Sequence, residues 1–100
     1  MDKKHFFLKL IPPRSTFIND ITDDERRIMN EHGAYWSTFI NNGIAIVIGP
    51  VLDPNGPFGM AVVEVDSEEQ LNEIISNDPA NGLNRFEVFP MIRAVYKQKK

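Results

Sequence analysis

One hundred residues carrying a formal charge of -3 and no cysteine exclude a chain of several domains, a surface built to neutralise phosphates, and any disulfide or thiolate metal site. No run of about twenty apolar residues occurs, so nothing reads as a membrane span. Phe6-Phe7-Leu8 follows Lys3 and Lys4, but Lys9 and Pro12-Pro13 break that run and no small-residue cleavage site follows, so a cytoplasmic protein is expected.

In chain order, His5 to Ile11 is a short apolar run ended by two prolines, which cannot donate to a sheet ladder, and reads as a strand. Residues 12–21 read as a long loop. They include Phe17 and Ile18, which need apolar contact, so the loop is expected to fold over something as a lid or pocket wall. The stretch Thr22 to Gly43 is the most regular helix signal. Thr22 with Glu25 forms a capping box, Asp23 and Asp24 occupy the positive first turn, and Gly43 ends it. Ile28, Met29, Tyr35, Trp36, Phe39 and Ile40 recur at spacings of three and four, and His32 lies on the same stripe.

Ile44 to Ile48 is apolar at consecutive positions and reads as a strand buried on both faces, weakened by Gly49-Pro50. Asp53-Pro54-Asn55-Gly56 turns the chain into a second strand, Phe58 to Val65, making an antiparallel hairpin. Ser67 with Gln70 repeats the capping-box signal for a second helix carrying Leu71, Ile74 and Ile75, which stops near Asp78-Pro79. Phe86 to Tyr96 is the last strand, with Pro90 marking a bulge or an edge. Residues 97–100 read as a frayed basic tail.

The order βαββαβ over a single domain, 1–100, predicts an α+β ferredoxin-like sandwich: a four-stranded antiparallel sheet with two helices on one face. Those helices leave the other face bare, although strands two and three are apolar on both sides. Each buried Val, Ile or Leu contributes roughly 1.5–3 kcal/mol, so a homodimer through the sheet faces is expected.

His32 has two readings, a core histidine satisfied by a backbone carbonyl or a functional group. Asp78 bears on the choice. It falls at the C-terminal end of the second helix, where the dipole disfavours a carboxylate by roughly 0.3–1 kcal/mol, although an ordinary Asp-Pro turn also explains it. Because the two helices of this fold lie side by side, the acid and the imidazole can meet, and a carboxylate on one ring nitrogen raises the basicity of the other. Arg14 is a candidate carboxylate clamp. Trp36 is a core residue or a pocket wall, and Gly49 and Pro50 end a strand or bring backbone close to a ligand. Ser37 lacks a second histidine to activate it, which argues against a serine triad. His5 and His32 are the only imidazoles and neither has a ligand-spaced carboxylate cluster, so no metal is expected.

Pro12-Pro13-Arg14, His32 with Tyr35-Trp36, Gly49-Pro50-Val51 with Asp53-Pro54, and Asp78-Pro79-Ala80 together resemble the YCII-related domain family, over nearly the whole chain. The resemblance implies a ferredoxin-like dimeric α/β barrel and a histidine–aspartate pair at the active site, roles that fall here on His32 and Asp78. It does not carry a substrate, because the first loop is longer than in shorter members.

The expected function is therefore that of a small dimeric enzyme binding a small organic molecule, without a cofactor, at a His32–Asp78 pair. The chemistry expected is general acid/base proton transfer of a lyase- or isomerase-like kind. Arg14, Trp36, Gly49 and Pro50 are the candidate substrate-binding residues. The alternative is a noncatalytic ligand-binding or interaction domain using the same pocket. RNA recognition shares the element order but fails, since Met60 and Val62 stand where stacking aromatics are needed.

Overall fold

The computed structural model describes residues 2–97, and most of the expected basic tail, residues 98–100, lies outside them. Strand β1 (Lys4–Ile11) buries Phe6, Leu8 and Leu10 on alternate positions, the period of a pleated strand. The segment expected to be a loop contains a single helical turn, α1 (Phe17–Asp20). It forms because the amides of Asn19 and Asp20 find the Thr16 carbonyl at 2.8 and 3.1 Å, while Phe17 is buried beneath it.

Helix α2 (Asp23–Asn41) begins with both halves of the Thr22–Glu25 capping box formed. It ends before Gly43, whose φ of 84° lies in the left-handed region that only glycine enters without penalty. Helix α3 (Glu68–Ser76) starts at the expected Ser67, but only half of the expected capping box forms. Ser67 accepts from the Gln70 amide, but the Gln70 side chain takes the amide of Asp66 rather than of Ser67.

The strands β2 (Ala45–Val51), β3 (Phe58–Val65) and β4 (Arg85–Met91) complete a sheet of order β2-β3-β1-β4, antiparallel throughout. This is an α+β, ferredoxin-like arrangement, with α1 as an added turn in the first crossover. Strand β2 runs on through Gly49 and Pro50 instead of stopping at Ile48. It lies at the sheet edge, where proline is tolerated. Strand β4 is shorter than the expected Phe86 to Tyr96. Its pairing with β1 ends at His5↔Met91, because β1 itself begins only one residue earlier.

One sheet face packs against α2 and α3 through Leu8, Val63, Val65, Leu71 and Trp36. A register shift between Ala45 and Val47 lets Ala45 and Ile48, three apart, both face this core. The opposite face carries a row that crosses all four strands: Val47↔Val62, Val62↔Phe7 and Phe7↔Phe89 are paired in register. Val47 and Phe89 remain 44% and 46% exposed. The consecutive apolar residues of strand two therefore serve both faces, but among the described residues only the helix side is covered within one chain. Among the described residues no helix is long and apolar enough to cross a membrane.

Candidate active site

Asp78 lies just beyond α3, held by its amide to the Ile75 carbonyl at 3.2 Å. Pro79 follows and disfavours further helix, so the carboxylate turns back beneath the helix end. Three donors meet it there. The Ala80 amide donates to Oδ1 at 2.8 Å, the Trp36 indole Nε1 donates to Oδ2 at 2.7 Å, and His32 Nδ1 lies 2.9 Å from each oxygen. The Asp78 side chain is wholly inaccessible. Its offset against the unfavourable helix dipole is this set of charge-assisted bonds.

Burial by itself pushes the Asp78 carboxyl up, but hydrogen bonds from His32, Trp36 and Ala80 and the attraction of His32 outweigh it, and the group sits below the ordinary carboxylate range. An ionised carboxylate can only accept, so the proton of the contact is on His32 Nδ1. In the neutral ring that leaves Nε2 as the lone-pair nitrogen, and among the described residues no protein group bonds to it. The helices are pinned where this matters. Tyr35, one turn from His32 on α2, donates its hydroxyl to the Ile74 carbonyl of α3 at 2.6 Å.

His32 and Trp36 line a cavity of about 300 Å³ between the sheet and α2, with Phe17 and Ile18 of α1 along one side. Gly49 and Pro50 also line it. No crowding requires the glycine, since a Cβ at Gly49 would meet nothing within 4 Å. The lining is overwhelmingly apolar, and His32 and Asn84 supply its polar side chains. Trp36 is both things the sequence allowed, 3% exposed in the core and a wall of the cavity.

Arg14 stands elsewhere. It clamps a carboxylate bidentately, but that of Glu25, with Nη1 and Nη2 each 2.8 Å from an oxygen, while Nε reaches Asp20 at 2.8 Å. It is absent from the cavity lining and borders a separate depression beside Lys9 and Asp53. The Arg14 bonds, with the Thr22 amide behind them, hold the Glu25 carboxyl down at about 2. Among the described residues no group of three or more His, Cys, Asp or Glu is arranged to hold a metal ion.

Three features of the site are not evident from sequence. Trp36 Nε1 as a third donor to Asp78 follows only from helix packing, the Arg14–Glu25 pair from the path of the first crossover, and Asn84 from its burial. A polar residue after Gly82-Leu83 is ordinary turn chemistry and carries no signal.

No curated protein matches the chain. The YCII-related domain matches residues 6–94, spanning every strand and helix described above from Phe6 onward. The chain belongs to the YCII-related domain family.

Proposed function

We propose that this protein binds a small organic molecule in the cavity beside His32 and transfers a proton within it, in lyase- or isomerase-like chemistry. The observation that carries this reading is the fully buried Asp78 carboxyl 2.9 Å from Nδ1 of His32, a residue lining the cavity; an ionised carboxylate there places the proton on Nδ1 and leaves Nε2 as the basic nitrogen of the neutral ring. Nε2 takes a proton from the ligand, and Asp78 stabilises the imidazolium that forms. The proton returns to another atom of the same ligand in an isomerisation, or leaves with a departing group in an elimination. A positioned general base of this kind is worth about 10²–10⁴-fold in rate, and His32→Ala is expected to lose that factor on a true substrate.

The pair can be tested before any substrate is known. In ¹⁵N NMR at neutral pH the neutral His32 ring of the wild type should show a protonated Nδ1 and an unprotonated Nε2, and Asp78→Asn should disturb that preference. Identical His32 ring spectra in the two proteins would mean that Asp78 does not set the tautomer. A second reading, a noncatalytic binding domain, is favoured by the apolar character of nearly the whole lining, which retains a ligand without acting on it. Binding without turnover across substrates that carry an acidic C–H bond would select it.

The functional unit we propose is a homodimer joined through the open sheet faces. The row Val47, Val62, Phe7 and Phe89 supports this, because it offers continuous apolar contact to a second copy.

A further inference from the structure

We infer that Asn84 is a ligand-anchoring residue of the cavity, and that the group it holds is the hydroxyl of an uncharged, otherwise apolar molecule. The inference deepens the small-molecule reading above and rests on the cavity being a ligand site.

Asn84 is 7% exposed, lines the same cavity as His32, and its Oδ1 is buried with no hydrogen-bond partner among the described residues. Among the described residues its Nδ2 reaches only Met29 Sδ, at 3.2 Å, and a thioether is a weak acceptor. The turn does not need this side chain. Main-chain bonds hold it, from the amides of Leu83 and Asn84 to the Ala80 carbonyl at 3.1 and 3.0 Å. A buried amide left half-satisfied is destabilising where a leucine of similar size would not be, so its presence in an apolar wall points to a partner that arrives with the ligand.

The chemistry of that partner follows from its surroundings. A hydroxyl both donates and accepts, so it satisfies the amide whichever of its two ends faces inward. An anionic ligand finds no unpaired counter-charge: among the described residues neither lysine nor arginine lines the cavity, the His32 ring is already paired with Asp78, and the Arg14 guanidinium is consumed by Glu25 and Asp20. A cationic ligand would need a carboxylate within reach, and among the described residues none lines the cavity, the Asp78 side chain being wholly inaccessible.

Three probes sharing one ring separate these points: phenol, toluene and benzoate, titrated by NMR into the wild type and into Asn84→Leu. Phenol should bind the wild type about three- to tenfold more tightly than toluene, the value of one neutral hydrogen bond, and benzoate more weakly than either. In Asn84→Leu phenol and toluene should become equal, with toluene affinity kept within about twofold. The Asn84 side-chain amide signals of the wild type should move on adding phenol and not toluene, a readout that stands even if the leucine variant does not fold. A phenol preference that survives in Asn84→Leu, or unmoved amide signals in the phenol-saturated wild type, overturns the inference and leaves Asn84 holding a water, while the cavity remains a ligand site. If no probe shifts the Trp36 or Met29 signals, the ligand-site reading fails, and the inference with it.

Discussion

At the residue scale the decisive object is a carboxylate. Asp78 would be a poor choice for the end of a helix and a poor choice for a dry interior, yet it is both ionised and buried because three N–H groups converge on it. Removing it strands those donors. Asp78→Ala should therefore cost about 3–5 kcal/mol of stability, as for a broken buried pair, and Asp78→Asn less, since an amide oxygen still accepts from Trp36 or Ala80. The pH dependence has a definite sign. The folded-state pKa of Asp78 is depressed, so its contribution is complete above its unfolded value of about 3.9 and is lost as the pH falls through the lower folded value. In urea titrations between pH 2 and 5 the stability gap between the wild type and Asp78→Asn should be constant near pH 5 and shrink below about pH 4. A gap that does not change over this range would mean that folding leaves the Asp78 pKa unshifted, and a gap that widens as the pH falls would mean that the carboxyl is buried uncharged.

At the scale of elements the first crossover departs most from a plain ferredoxin-like chain. One helical turn, α1, is too short to be stable from its own hydrogen bonds. Two outside contacts hold it: Phe17 buried against the core side, and Arg14, whose guanidinium ties Asp20 at the end of α1 to Glu25 in the first turn of α2. The Thr16 hydroxyl donates to the same Asp20 carboxylate at 2.6 Å. Arg14 is thus a fastener for the wall of the cavity. Arg14→Gln should raise amide hydrogen exchange at Asn19 and Asp20 on the order of tenfold while the strands keep their protection. Unchanged exchange in α1 with a uniform loss of protection elsewhere would assign Arg14 to the start of α2 instead.

At the scale of the whole molecule, one sheet face is covered and the other is not. The bare face is no uniform apolar plate. The row from Val47 to Phe89 is flanked by a row in which His5 pairs with Glu64 at 2.9 Å, with the Tyr96 hydroxyl donating to Glu64 at 3.1 Å. Its other flank carries Lys9 over the Phe58 ring at 4.5 Å. An apolar stripe with a polar rim is the anatomy of a protein interface, and in the proposed dimer the stripe is its core. Sedimentation should give the mass of two chains at low micromolar concentration, and Val62→Asp, at the centre of the row, should give one. A folded wild-type monomer whose stability does not change on dilution would exclude the dimer.

Much of this molecule was determined locally. Apart from α1, the element order, the starts of the two longer helices, the hairpin and the ferredoxin-like class follow from periodicity, capping residues and prolines, because those signals act within a few residues of one another. Where β4 ends, how far β2 runs and where Arg14 points depend on groups remote in sequence. Strand β4 stops where its neighbour β1 runs out. Strand β2 passes through Pro50 because it is an edge, and the guanidinium takes the nearest carboxylates once the crossover is folded. The tertiary structure alone decided that Trp36 and His32 share one carboxylate and that Asn84 is shut into the cavity wall, since burial and hydrogen-bond satisfaction are properties of packed surfaces and not of a residue's neighbours in the chain.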